Sequence, residues 1–211
     1  DFMCGSGTIP LEAFMVRNNL PPGIFREMSF ENWKIYFAKE HKKVLDQAKG
    51  AWKGARAAAS ASLEVADKEP GAGDNSLRDQ ALDISEGRKA MIRGSDVSDR
   101  SIQVAKNNRK WLKLTADQVF FETLEAAHIQ ELPASGTAII NPPYGERLSL
   151  EDAAAFYKEL GDIMKKSFKG WSVWILSSNK EGLKSIGLKA AQKHTLFNGP
   201  LECSFRRYDM Y

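Results

Sequence analysis

The apolar run Ala138-Ile139-Ile140 stops abruptly at Asn141-Pro142-Pro143-Tyr144, which Gly145-Glu146-Arg147 follows. Pro142 and Pro143 have no N–H and a fixed φ, so neither can extend a sheet ladder, and a strand over the apolar run must end there. It leaves a rigid shelf at its carboxyl end: the Asn141 carboxamide, a Pro142 carbonyl that no neighbouring main-chain donor crowds, and the Tyr144 ring. Ligands of open α/β sheets bind in the crevice beyond the carboxyl ends of the strands, which makes this shelf the candidate catalytic site.

The shelf suits one kind of chemistry. An exocyclic amine on a nucleobase is a poor nucleophile because its lone pair is delocalised into the ring. If the Asn141 side-chain oxygen and the Pro142 carbonyl each accept one amine N–H, the lone pair is drawn out of the ring plane toward an electrophile while Tyr144 stacks on the base. The same residues also suit a proline-terminated strand followed by a plain type I or II turn, so the choice between the two readings falls to the other motifs.

Asp1-Phe2-Met3-Cys4-Gly5-Ser6-Gly7-Thr8 leads into a helix over Ile9 to Val16, with Pro10 in its first turn and Ile9, Ala13 and Val16 on one side. Gly5 and Gly7 permit positive φ and let a ligand approach free N–H groups at a helix N-terminus. A turn of this kind should follow a strand, whereas the sequence opens at Asp1. The expectation is a natural protein longer at its N-terminus, with the first strand of the sheet missing from this chain.

Asn19 to about Trp33 reads as an ordered loop, Lys34 to about Ala66 as one or two helices, and Glu69 to Asn75 as a linker. Residues from about 19 to 89 interrupt the α/β rhythm and read as an insertion. The rhythm resumes with a strand over Ala90 to Asp96. An acid ending the second strand is where nucleoside-binding α/β folds hold ribose hydroxyls, although a turn or helix-capping role suits Asp96 equally well. Ser98 is placed to N-cap a helix carrying Ile102, Ala105 and Leu112, and Val119-Phe120-Phe121 forms a third strand. Beyond the shelf, Ser149 caps an amphipathic helix that buries Ala153, Phe156, Tyr157, Leu160, Ile163, Met164 and Phe168. Trp171 to Leu176 is a fifth strand, read as fully buried, and a short helix over Glu181 to Leu188 comes next. Asn198-Gly199 marks a hairpin between the last two strands. The fold class is α/β: a mostly parallel sheet covered on both faces and closed by an antiparallel hairpin.

Thirty basic and twenty-seven acidic residues give a net charge of +3, which permits a nucleic-acid partner without demanding one. No apolar stretch reaches bilayer length and no signal peptide opens the sequence, so the expected compartment is the cytoplasm, with no membrane partner. Cys4 and Cys203, with three scattered histidines, indicate neither a disulfide framework nor a metal site.

Together these features resemble the class I S-adenosylmethionine-dependent methyltransferases. Asp1-x-Met3-Cys4-Gly5-Ser6-Gly7-Thr8-Ile9-Pro10 with Asn141-Pro142-Pro143-Tyr144-Gly145-Glu146-Arg147-Leu148 is similar to the THUMP-associated RNA guanine-N2 methyltransferases that modify large-subunit ribosomal RNA. Pro22-Gly23 through Trp33, Gly94-Ser95-Asp96 and Asn198 through Cys203 are similar as well. Adenine-N6 enzymes share Asn-Pro-Pro-Tyr, but the Gly-Glu-Arg extension is typical of the guanine-N2 group. Phe2 stands where the family usually has Pro, and Glu125 where it usually has Asp.

The resemblance implies a Rossmann-like, seven-stranded catalytic domain over residues 1–211, with a THUMP RNA-binding domain upstream. It implies S-adenosylmethionine as cofactor, held by Asp1, Met3, Cys4, Gly5, Ser6, Gly7 and Thr8 at its methionine end. Asp96 would bind its ribose and Val97 and Glu125 its adenine, with Asn141 among the cofactor-binding residues as well. Asn141, Pro142, Pro143 and Tyr144 would orient the guanine amine of an RNA partner. Methylating an amine needs no covalent adduct, so Cys4 is not assigned as a nucleophile. An adenine-N6 methyltransferase and a catalytically silent methyltransferase-fold subunit are the alternatives. A nicotinamide dehydrogenase has only the glycine turn in its favour, because the G-x-G-x-x-G spacing is absent.

Overall fold

The computed structural model describes residues 1–24, 26–66, 92–130, 132–143 and 150–211. The expected linker at Glu69 to Asn75, the start of the second strand at Ala90 and Met91, Tyr144 to Arg147, and the Ser149 cap lie outside the described residues. In chain order the helices are α1 (Thr8–Arg17), α2 (Ala38–Ala66), α3 (Asp99–Trp111), α4 (Leu150–Ser167) and α5 (Gly182–Ser185). The strands are β1 (Arg93–Asp96), β2 (Phe120–Thr123), β3 (Gly136–Ile140), β4 (Trp171–Ser177), β5 (Gln192–Asn198) and β6 (Leu201–Asp209). The chain divides into two units, one of Asp1–Ile9, Arg93–Lys106 and Phe121–Tyr211, the other of Pro10–Ile92 and Asn107–Phe120.

The first unit carries a four-stranded sheet in the order β3-β4-β6-β5. β3 and β4 are parallel, in a register running from Gly136↔Trp171 to Ile140↔Ile175, whereas β6 is antiparallel to both β4 and β5. β1 and β2 form a separate two-stranded sheet. The Phe120 N–H donates to the Ile92 carbonyl and the Leu124 N–H to that of Asp96, the same offset at both ends, so this pair is parallel. Asp1 to Cys4 lies alongside β1: Ser95 N–H donates to the Asp1 carbonyl at 2.8 Å and Cys4 N–H to the Ser95 carbonyl at 2.9 Å.

The α/β class and the closing antiparallel hairpin hold as expected, and only the details of the sheet differ. Among the described residues there are six strands in two hydrogen-bonded sheets, and parallel strand pairing is confined to β1–β2 and β3–β4. Asp1 to Cys4 bonds to β1 but takes turn rather than strand conformation, and no strand pairing joins β1 to β3 among the described residues.

Alternation along the strands sets one face of the four-stranded sheet to the core. Ala138 and Ile140 of β3, Val173 and Ile175 of β4 and Tyr208 of β6 are buried with Tyr157, Leu160, Met164 and Phe168 of α4 and with Leu183 and Ile186 in and beside α5. β4 alternates rather than being buried throughout. Trp174, read from sequence as interior, lies on the other face, where it stacks on Phe205 with ring centres 4.6 Å apart. Phe2 is core, 4.8 Å from the Phe168 ring centre, so the departure from Pro at this position is a packing change. Gly161 of α4 faces the Ile186 carbonyl so closely that a Cβ there would sit 2.0 Å from the oxygen. Tyr157 and Ser177 share a buried hydroxyl hydrogen bond of 2.5 Å.

In the second unit α1 buries Pro10, Leu11, Phe14 and Met15, while Val16 is 75% exposed. The apolar side expected from Ile9, Ala13 and Val16 is thus not the buried one, because the larger Leu11, Phe14 and Met15 offer more area to remove from water. Schellman bonds end α1 and α3. Leu20 N–H donates to the Met15 carbonyl past Asn19 (φ 50°), and Leu114 N–H to that of Arg109 past Lys113 (φ 58°). The loop read between Asn19 and Trp33 contains a 3₁₀ turn at Ser29–Asn32, where Glu31 accepts the Met28 N–H.

Candidate functional site

Parallel strands deliver their carboxyl ends to one edge, and in the first unit these ends meet around a cleft of about 750 Å³. Gly5 follows the segment beside β1, Asp96 and Val97 end β1, Glu125 and Ala126 follow β2, and Asn141 to Pro143 follow β3; all of them line the cleft. That volume falls in the range of small-molecule and cofactor sites.

The glycine turn and the acid are joined directly. Gly5 N–H donates to Asp96 Oδ2 at 2.9 Å, and Ser98 N–H donates to Oδ1, also at 2.9 Å. Asp96 therefore holds the turn in place, as the turn-acid reading expects, and also stays at the cleft wall. Ser98 Oγ accepts the Ser101 N–H at 3.2 Å and caps α3 as its sequence signal implies. Beside it Val97 is 72% exposed, an apolar side chain open to a ligand. Glu125 lies at the same wall with Oε2 3.4 Å from His128 Nδ1.

Of the remaining residues of this stretch, Phe2 and Met3 also line the cleft, whereas Asp1, Cys4, Ser6, Gly7 and Thr8 do not. Asp1 Oδ1 accepts the Met3 N–H at 3.0 Å, which orients Met3 at the cleft wall. Ser6 and Thr8 are exposed, their hydroxyl oxygens 3.3 Å apart. Gly7 has φ +81°, and a Cβ there would lie 2.6 Å from the Phe121 ring, so both conformation and space demand glycine. Cys4 is buried; burial, and then the nearby Asp96 charge, push its thiol up to about 12. Held as the neutral thiol, it packs rather than attacks.

At the shelf Pro142 is buried while Asn141 and Pro143 are exposed. All three line the cleft. The contributors not recognised from sequence include Phe156, Glu159 and Ile163 of α4, Ser101 of α3 and Asn198 of the hairpin, which all line the cleft. Phe156 and Ile163 carry the same apolar signal as their buried neighbours, and only their half-burial at the helix edge separates them. Among the described residues, no group of His, Cys, Asp or Glu is arranged to hold a metal ion, and no helix is long and apolar enough to cross a membrane.

The residues fit a nucleoside cofactor: an acid fixed between two main-chain donors, an exposed valine beside it, and a glycine turn open on the cleft side. A family model described as "RMKL-like, methyltransferase domain" matches residues 1–207. The ribosomal RNA large subunit methyltransferase K/L of Shewanella sp. (strain ANA-3) is 32% identical over 213 residues, covering all of this chain and 26% of that protein. A solved methylase from Listeria monocytogenes, named as predicted to be N6-adenine-specific for DNA, is 29% identical, with a TM-score of 0.63. It covers the whole chain and 46% of the solved one. A third protein, solved in complex with SAH, shares the fold at 24% identity and a TM-score of 0.71, covering all of this chain and 47% of that one. The chain thus spans about a quarter of the Shewanella relative and about half of each solved chain.

Proposed function

The chain belongs to the RMKL-like methyltransferase domain family, and from that premise we propose that it transfers a methyl group from S-adenosylmethionine to the exocyclic N2 amine of a guanine in large-subunit ribosomal RNA. The observation that carries this reading is that Asn141 and Pro142 share one cleft with Asp96, Val97 and the glycine turn. When bound, the cofactor supplies a sulfonium methyl, already activated and with a good leaving group. Asp96 and Val97 hold its nucleoside, and Met3 and Gly5 face the rest. Asn141 Oδ1 and the Pro142 carbonyl accept the two amine N–H groups, and Tyr144, next but one in the sequence, supplies the stacking ring. The amine lone pair would form the new N–C bond as the methyl–sulfur bond breaks, its electron pair leaving with the sulfur as the neutral thioether S-adenosylhomocysteine, and the methylated amine would shed one proton to solvent. Positioning and polarisation carry the rate, with no enzyme nucleophile.

Support for guanine comes from the Gly145-Glu146-Arg147 extension, and support for large-subunit ribosomal RNA comes from the name of the Shewanella relative. The Listeria protein's name favours a second reading, an adenine-N6 methyltransferase with the same amine geometry. The test uses the full-length parent protein, labelled S-adenosylmethionine and RNA from cells lacking its gene, followed by nucleoside digestion and mass spectrometry. N2-methylguanosine, lost in Asn141→Ala, is the expected product. N6-methyladenosine moves the assignment to the second reading. An absence of both products, without a thermal shift on adding cofactor, points to a silent subunit.

A further inference from the structure

The β5–β6 hairpin reaches past the end of the parallel strands. Ser177↔Ser204 is the last pair between β4 and β6, yet β6 begins at Leu201 and its first three residues pair only with β5. At about 3.3 Å per residue this overhang extends roughly 10 Å. β3 and β4 are parallel, so the overhang stands at the same edge as Asn141. Asn198, the last residue of β5, pairs with Leu201 and lines the cleft together with Asn141 and Pro142.

The tip is held in position. Gly199 at φ +60° and Pro200 close a two-residue turn, one residue beyond the Asn198-Gly199 pair read from sequence. Lys180 Nζ, just after β4, meets Glu202 Oε1 at 2.8 Å and ties the tip to the sheet edge.

We propose that Asn198 reads the Watson–Crick edge of the target base and so sets the specificity of the site. This rests on the guanine-N2 reading above. With the amine held by Asn141 and Pro142, the rest of a guanine's edge presents an N1–H donor and an O6 acceptor. A carboxamide offers the complementary acceptor and donor in one plane. An adenine placing its own amine on the same two acceptors presents only the N1 acceptor beside it and leaves half of the carboxamide unmatched. Asn198 is exposed in the chain alone, and a bound base would cover it; sites that hydrogen-bond a substrate group reject analogues lacking it, because polar partners covered on binding are then stranded.

The test uses the full-length protein and a synthetic RNA oligonucleotide carrying guanosine or 2-aminopurine riboside at the methylated position. 2-Aminopurine keeps the C2 amine but lacks O6 and N1–H. The wild type is expected to prefer guanosine by about tenfold or more in kcat/KM. Asn198→Ala and the similar-sized Asn198→Leu should lose that preference by slowing guanosine alone, with cofactor affinity unchanged as the check on folding. Equal slowing of both substrates, or no preference in the wild type, overturns the proposal and leaves the guanine-N2 reading intact. Methylation of adenine instead of guanine overturns both.

Discussion

The Gly5 N–H lies 2.9 Å from Asp96 Oδ2, across 91 positions of sequence. With the Ser98 N–H on the other oxygen, the carboxylate ties the glycine turn to the end of β1 and to the start of α3. One acid thereby fixes the turn and lines the cleft.

Replacing Asp96 by Ala leaves both N–H groups without their acceptor and should lower stability by about 1–3 kcal/mol in urea unfolding. Affinity for S-adenosylhomocysteine, read by calorimetry, should fall by about tenfold or more, the loss of charge-assisted hydrogen bonds. Asp96→Asn, which retains one carbonyl oxygen, should fall between the two. Unchanged affinity in Asp96→Ala would remove the ribose role.

Asn141→Ala should reduce kcat by about 100-fold or more, the scale for losing an oriented polar group at the reacting centre. KM for RNA and the cofactor affinity should stay within a few-fold, since the missing acceptor acts mainly in the transition state. Steady-state kinetics alongside calorimetry separates this from a binding defect.

The Cys4 thiol is raised from 9.0 to about 12 by burial first and by Asp96 second. Because the folded value lies above the unfolded one, the stability it contributes is fully present below about pH 9. It is lost as pH rises from there toward 12, where the unfolded chain releases the proton first. Urea midpoints of the wild type should therefore fall more steeply between pH 9 and 10.5 than those of Cys4→Ala, a range set by these two values. At pH 8, iodoacetamide should label Cys4 only as fast as the protein opens.

Two glycines should respond differently to Ala. At Gly161 the new Cβ would lie 2.0 Å from the Ile186 carbonyl oxygen, a clash with backbone that only a shift of α4 from α5 relieves. The cost should be at least about 2 kcal/mol, in the upper part of the overpacking range. At Gly5 nothing lies within 4 Å, so Gly5→Ala should cost only the positive-φ strain, about 1–2 kcal/mol. Equal losses from the two variants in urea unfolding would contradict this account.

Much of the cleft was legible because its signals are local. Proline chemistry ends β3, glycine permits the turn at Gly5 and Gly7, and Ser98 caps α3; each acts within a few residues of its own position. Burial was less legible. Ile9, Ala13 and Val16 and the stripe of Leu11, Phe14 and Met15 both fit a helical period, and periodicity alone cannot rank two apolar sides. Trp174 was read as interior because the strand is apolar but for Ser172, whereas its ring meets Phe205 on the opposite face, a contact made only once β6 pairs with β4.

The residue types at the shelf, the turn and the end of β1 are properties of the sequence itself, because each depends on short-range covalent geometry and hydrogen bonding. That Asp96 should accept from Gly5, that Phe156 should border the cleft, and that Asn198 should reach the same edge as Asn141 depends on strand register and on the three-residue overhang of β6. Register is chosen by pairing among segments far apart in the chain, so those relationships exist only in the folded molecule.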